Sequence, residues 1–414
     1  MGQNLIVGVD PHRKKNVMQL MDSNGQVLGP PFRTDNNRPG TAAFIEHVVD
    51  QLEGGQYEGL QLASEATGWY WFHFFQSLSQ DPLLNQWPLE LYLFNPRLTA
   101  KFKQSYGDRD KTDPNDAFIV ADRFRFGRDL PTPFVYEETY LPLRFLTRYY
   151  FHVTHNLARE KSYALAIIYL KASEFTHSTK KAFSNFFGAA SRAVLQEFAS
   201  IEEIAALDFS DLVEFIDLKG KRHFSDPETT ARKVQQVALD SYPLPPAFQQ
   251  PINTILALSF KHIAFLETQQ KRLKAAIADH LADIPNTLPT IPGLGPILSA
   301  GLIAEIGDLD RFEHNQAKVA KYAGFMWRKS QSADFSADHT PLIKNCNRYL
   351  RYYFVEGANL VRMHDPDYKL FYDRKFHEVR KHQHKRALVL TARKLVRLVV
   401  RLLTTNQPFR PRRL

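Results

Sequence analysis

The sequence predicts an α/β layer fold at the N-terminus, a long helical, coiled-coil-like middle and a mostly α C-terminal domain. Three observations carry that expectation. Short apolar runs alternate with helical periodicity over residues 4–96, and two of the runs end in an acid. Two long stretches then keep apolar residues at 3-and-4 spacing. Past residue 285, glycine and proline punctuate a further set of helical segments. The 414 residues divide on this reading into 1–130, 131–284 (with an insertion at about 176–245) and 285–414.

Leu5–Val9 reads as a buried strand. Asn16–Met21 and Gln26–Leu28, the latter continuing toward Phe32, read as two more strands around a turn at Ser23-Asn24-Gly25. Thr41–Leu52 is helical by the spacing of Phe44, Val48, Val49 and Leu52. Leu60–Ala63 is a strand, Trp69–Leu78 an aromatic-rich helix, and Leu89–Phe94 a strand closed by Asn95-Pro96. The order β-β-β-α-β-α-β-α, with acids at strand ends, fits the ribonuclease-H-like arrangement.

Pro114–Phe126 continues as a helix, and Leu141 to about Glu174 as a long one bearing Arg144, Arg148, Arg159 and Lys161. Residues 176–245 are less periodic and hold short helices at Ala182–Phe187 and Arg192–Phe198. Ile252–Ala282 is the second long helix, able to pair with the first within a chain or between chains. Leu288 to Pro296, with Ile297–Ile306 after it, resembles a helix-hairpin-helix element whose glycines admit a phosphate; a plain helix–helix turn uses the same residues. Arg386–Leu403 is amphipathic and basic, fit to lie on nucleic acid or to pack with a solvated charged face.

A formal net charge of +9 points to a polyanionic partner, although a merely soluble basic protein has the same sign. Hydrophobic content of 44% is globular rather than disordered. The single cysteine, Cys346, excludes an internal disulfide framework and a Cys-based zinc site, and fits a reducing compartment. No signal peptide is visible, and Ile6 argues against myristoylation of Gly2. The most apolar stretch, Leu388–Leu403, is interrupted by Arg393, Lys394, Arg397 and Arg401, so no membrane partner is expected. The expected location is the cytoplasm, at the nucleoid of a bacterium.

Four acids stand out: Asp10 and Glu65 end apolar runs, and Asp113 and Asp116 open a helix in Lys111-Thr112-Asp113-Pro114-Asn115-Asp116-Ala117. Carboxylates converging from neighbouring strands and a helix hold Mg²⁺ (or Mn²⁺), and paired ions suit phosphodiester chemistry. Simpler readings exist. Asp113 before Pro114 fits an N-cap, with Asp116 at N3 as in a capping box. Asp10 fits as a strand-end turn residue before Pro11, and Glu65 as a surface acid before Ala66-Thr67-Gly68.

The segments Ile6-Val7-Gly8-Val9-Asp10, Ser64-Glu65-Ala66-Thr67-Gly68, Asn95-Pro96 and Lys111 to Ala117 resemble the N-terminal domain of insertion-sequence transposases of the type-110 family. Ile291-Pro292-Gly293-Leu294-Gly295, Asp310-Arg311-Phe312, Tyr322-Ala323-Gly324-Phe325 and Lys344 to Arg351 look like that family's second transposase domain. The resemblance covers roughly residues 4–130 and 285–360. It implies a RuvC-like domain in which Asp10, Glu65, Asp113 and Asp116 bind metal. It also implies a serine nucleophile, placed at Ser332 by counting from either side, with Ser330 and Ser336 as neighbours. Ala333 departs from the glycine common after that serine.

The resemblance further implies a recombinase guided by a structured noncoding RNA that pairs with donor and target double-stranded DNA. Its site would be shared across subunits of a homo-oligomer, a dimer or a dimer of dimers. Arg328 and Lys329 would stabilise phosphate charge, and Lys101, Lys103, Arg109 and Lys111 would touch nucleic-acid backbone or else be solvated. Two other classes fit the same residues: a RuvC-like, metal-dependent junction nuclease without a covalent intermediate, and a noncatalytic nucleic-acid-binding protein. Trp69 to Phe75 fits core packing better than base stacking. His382 and His384 fit a basic patch better than a metal set.

Overall fold

A computed structural model describes residues 3–54, 57–107, 110, 112–128, 130–176, 181–327, 331–332, 335–336 and 341–411. The chain forms two compact units, and neither is continuous in sequence. One comprises Met1–Leu141 with Gly307–Asn347, the other Pro142–Ile306 with Arg348–Leu414.

The first unit opens with β1 (Gln3–Pro11), β2 (Lys15–Met21), β3 (Phe32–Asp35), α1 (Arg38–Glu53), β4 (Tyr57–Glu65), α2 (Phe72–Ser79), β5 (Leu89–Phe94), α3 (Pro96–Lys103) and α4 (Asp113–Arg125). The sheet order is β3-β2-β1-β4-β5. β1 runs antiparallel to β2 and parallel to β4, and β4 is parallel to β5. This mixed five-stranded sheet is compatible with the ribonuclease-H-like arrangement. β1 is buried on both faces, which is why it reads as a continuous apolar run. Leu5, Val7 and Val9 pack with Phe44, Val48, Phe74 and Phe75. Ile6 on the opposite face packs with Val120, Ala121 and Phe124 of α4.

Two expected elements move. The third strand lies at Phe32–Asp35, while Val27 makes only an isolated bridge to Met21. Pro30 and Pro31 cannot donate to a ladder, and Gly29 turns at φ +72°, so the run at Gln26–Leu28 cannot continue as a strand. The aromatic helix starts at Phe72 rather than Trp69.

The second unit begins with α5 (Leu141–Lys171), then α6 (Ala189–Glu197), α7 (Ile201–Ala206), α8 (Phe209–Lys219), α9 (Pro227–Asp240), α10 (Pro246–Ala282) and α11 (Pro296–Ile306). The two long helices α5 and α10 lie antiparallel. Thr154 meets Gln270 at 3.0 Å, and Lys161 meets Glu267 at 2.8 Å. Helices α6 to α9 share their core through Val194, Ile204, Leu212 and Val234. No helix forms at Ala182–Phe187. There Asn185 accepts from the Phe187 amide at 2.9 Å, a local bond that competes with helix formation.

Gly307–Asn347 then supplies α12 (Gln316–Tyr322) and two short antiparallel strands, β6 (Gln331–Ser332) and β7 (Phe335–Ser336), to the first unit. Finally α13 (Arg348–His364), α14 (Pro366–His377) and α15 (Gln383–Thr405) complete the second. Gly293, at φ +86°, lies against the α13 backbone at Leu360, where a Cβ would come within 2.8 Å. Its conformation therefore serves close packing. No helix among the described residues is long and apolar enough to cross a membrane.

Candidate active site

Asp10 and Glu65 leave the sheet side by side. Val9 is in register with Ser64 on the parallel neighbour, so the next residue of each strand emerges at the same sheet edge. α4 crosses β1 at Gly8, where an added Cβ would sit 2.1 Å from the Ala117 carbonyl oxygen and 2.4 Å from the Ala121 nitrogen. Only a residue without a side chain lets the helix come this close. That approach brings the first turn of α4, with Asp113 and Asp116, to Asp10.

The capping expectation for Asp113 is corrected. Thr112 is the N-cap: its backbone is extended and its Oγ1 accepts from the Asn115 amide at 3.4 Å. Asp113 is the first helical residue, which frees its carboxylate to turn toward β1 and β2. There its Oδ2 accepts from Lys15 Nζ at 2.7 Å, and its Oδ1 is 3.4 Å from His12 Nε2. His12 Nε2 is also 3.0 Å from Asp10 Oδ2. Asp116 forms an ion pair with Lys103 of α3.

The electrostatics tie the four acids together. Burial pushes the Asp10 carboxyl above its usual range; His12 opposes this, and the charges of Asp116 and Asp113 add to it. Burial also pushes Glu65 up; the Thr99 and Thr67 hydroxyls oppose, and Asp10 and Asp116 reinforce. Asp113 is held below its usual range, chiefly by the hydrogen bond from Lys15. Carboxylates that raise one another in a half-buried setting attract a multivalent cation.

The donor set fits a divalent metal. One ligand atom each from Asp10, His12 and Asp113 lies within 4.8 Å of the others. Two carboxylates with an imidazole are ordinary ligands for such an ion. His12 and Lys15 are functional candidates that the sequence reading missed. The basic run Pro11-His12-Arg13-Lys14-Lys15 directly after Asp10 was the available signal.

Of the remaining expected residues, Lys101 is exposed on α3. The serine-bearing segment belongs to the same compact unit as the acids. Ser332 lies in β6, its backbone paired with Phe335, and Ser336 lies opposite Gln331. Its flanks are joined by a bridge between Trp327 and Leu342 and by the Ile343 amide donating to the Met326 carbonyl at 2.9 Å. Arg109, Lys111, Arg328, Lys329 and Ser330 lie outside the described residues.

Residues 7–169 match a transposase family model for the DEDD domain of IS110. Residues 286–373 match the model described as transposase of the IS116/IS110/IS902 family. The insertion element IS116 uncharacterized 44.8 kDa protein of Streptomyces clavuligerus is 23% identical over 320 residues, covering 76% of each chain. The insertion element IS900 uncharacterized 42 kDa protein of Mycobacterium paratuberculosis is 24% identical over 313 residues, covering 74% of this chain and 75% of its own.

Proposed function

Taking the chain as an IS110-type transposase, which both family models and both relatives support, we propose that it recombines DNA through a phosphoserine on Ser332. The observation that carries this reading is the cluster of Asp10, His12 and Asp113, with Glu65 and Asp116 near enough for their charges to act together with that of Asp10, within the compact unit that also contains the serine-bearing segment.

The Ser332 oxygen attacks a scissile phosphate, forming a phosphoserine ester as one strand's 3′-oxygen leaves and takes up a proton. A 3′-hydroxyl from the other duplex then attacks that ester and releases the serine, so the phosphodiester count is conserved. No ATP is consumed, and no P-loop motif occurs in the sequence. Asp10, Glu65, Asp113 and Asp116, with His12, would hold Mg²⁺ or Mn²⁺, which supplies Lewis-acid polarisation of the phosphate. Lys15 and Lys103 neutralise Asp113 and Asp116 and would yield that role to the ion. Arg328 and Lys329 would balance phosphate charge.

Joining two duplexes requires cuts in several strands, which favours a homo-oligomer with one serine per cut. A structured noncoding RNA as guide rests on the family resemblance. It would leave the protein reading backbone and shape rather than bases.

The decisive test is Ser332→Ala. The wild type should give a protein–DNA adduct that survives denaturation and is sensitive to protease, and the alanine variant should give neither adduct nor exchange. Full exchange by Ser332→Ala would instead assign hydrolysis by a metal-dependent junction nuclease. Glu65→Gln should abolish metal-dependent cleavage while nucleic-acid binding persists. Unchanged cleavage would reduce the acids to structural roles. Mixing Ser332→Ala chains with Glu65→Gln chains should restore exchange if each site draws on two subunits.

A further inference from the structure

The chain's basic excess is confined to its last 36 residues. Eleven of its 53 lysines and arginines lie in 379–414, and none of its 44 acids does. Residues 1–378 therefore carry 42 basic against 44 acidic groups, slightly negative in sum. The unit that bears the tetrad owes nothing to the +9, and an electrostatic grip on nucleic acid must come from elsewhere.

α15 is where much of that charge sits. Its apolar face is already used: Leu395, Val396, Val399 and Val400 are buried within the unit. That leaves no apolar face for a lipid surface, although a basic amphipathic helix by itself would fit one. On the outer side Arg386, Arg393, Arg397 and Arg401 recur at intervals of 7, 4 and 4 residues, so they share one face. From the first to the last is about 22 Å along the axis, the length of roughly six phosphates on one strand of a duplex.

Solvated charged helix faces ordinarily mix signs, with acids one turn from bases. Here the nearest acid, Glu378, is taken up by Lys375 at 2.5 Å and Arg386 at 3.0 Å. Lys381, Lys385, Arg397 and Arg401 are exposed and have no ion pair among the described residues. Like charges held together without counter-charges repel one another, and a polyanion relieves that repulsion.

We propose that the outer face and first turn of α15, with the preceding Arg380–His382 turn, are a docking surface for the phosphodiester backbone of duplex DNA, read by charge and not by sequence. The inference rests on the transposase reading for its partner class, and it places the main non-catalytic grip on a different unit from the metal-binding acids.

The test uses the full chain with Lys385→Gln, Arg397→Gln and Arg401→Gln combined, all exposed positions. Fluorescence anisotropy across a salt series would use a mixed-sequence DNA duplex and, separately, a fold-back RNA hairpin. Loss of two or three phosphate contacts should weaken binding about tenfold or more. It should also flatten the slope of log K against log salt by roughly 2 to 3. The charge-keeping Arg397→Lys/Arg401→Lys variant should retain the slope. A loss on the duplex supports the surface, whereas a loss on the hairpin alone assigns the face to RNA and overturns the DNA reading. Unchanged affinity and slope on both probes overturns it, as does an equal loss in the charge-keeping variant. Binding needs no strand cleavage, so failure here leaves the phosphoserine reading standing. A Ser332→Ala protein that exchanges strands would sink that reading without touching this one.

Discussion

Asn95, at the end of β5, donates its side-chain amide to the side-chain oxygen of Asn345 at 2.8 Å, across 250 positions of sequence. The bond ties the sheet that carries Glu65 to the chain just beyond the serine-bearing strands. Asn95 also caps α3 by accepting from the Arg97 amide at 3.0 Å, so Asn345 is the cleaner position to change. Asn345→Ala should lower the single-turnover rate of strand cleavage by roughly tenfold, since small misplacements of a reacting group are costly. Its melting temperature should stay within a few degrees of wild type, because an exposed hydrogen bond contributes only about 1 kcal/mol. An unchanged rate would detach this bond from the chemistry.

Glu65 and Asp10 are each held above the usual carboxylate range by burial and by neighbouring acids. A carboxyl whose folded pKa exceeds its unfolded value binds more protons when folded, so stability falls as pH rises through that window. Glu65→Gln, measured in chelator, should therefore melt higher than wild type at pH 7, by roughly 2–4 °C. The gain should shrink as pH drops toward the unfolded carboxylate value. A variant that melts lower at pH 7 would contradict the electrostatic account.

Gly8 predicts a coupled loss. In Gly8→Ala the new methyl meets the α4 backbone at Ala117 and Ala121, which cannot move aside as a flexible side chain would. Overpacking of this kind costs about 1–3 kcal/mol. Because α4 must shift, the same variant should bind Mn²⁺ more weakly by calorimetry. Loss of stability with intact metal affinity would show that Asp113 and Asp116 need no fixed distance from Asp10.

Much of the N-terminal sheet was legible because β1, β4 and β5 are apolar runs bounded by turn residues, a local signal. The misread third strand turned on Pro30 and Pro31, whose missing donors outweigh the apolar pattern around them. The acids could be picked out because they interrupt expected local patterns. The pairings of His12, Lys15 and Lys103 with them could not, since these depend on how α3, α4 and the β1–β2 turn come together. Thr112 took the cap from Asp113 for a similarly small geometric reason. That Gly307–Asn347 belongs with the sheet rather than with its sequence neighbours has no local signature at all.

In the second unit, Glu305 of α11 is fully buried and takes two bonds from Arg148 of α5, at 2.7 and 2.9 Å. Arg148→Met leaves a buried carboxylate without that partner and should destabilise the unit by about 3–5 kcal/mol. Replacing both, as Arg148→Met/Glu305→Leu, should recover most of the loss. Chemical denaturation that reads the helical signal would decide, and equal losses in the single and double variants would rule out a desolvated pair.

The interleaving of the two units has a consequence for synthesis on the ribosome. The sheet and its acids are translated first, yet their unit is finished only when residues 307–347 have emerged. At ordinary elongation rates that interval is on the order of 10–40 s. Through it, a nascent chain carries the four acids but not Ser332, so under the proposed mechanism an abandoned or truncated product would hold only half of the groups that strand exchange needs.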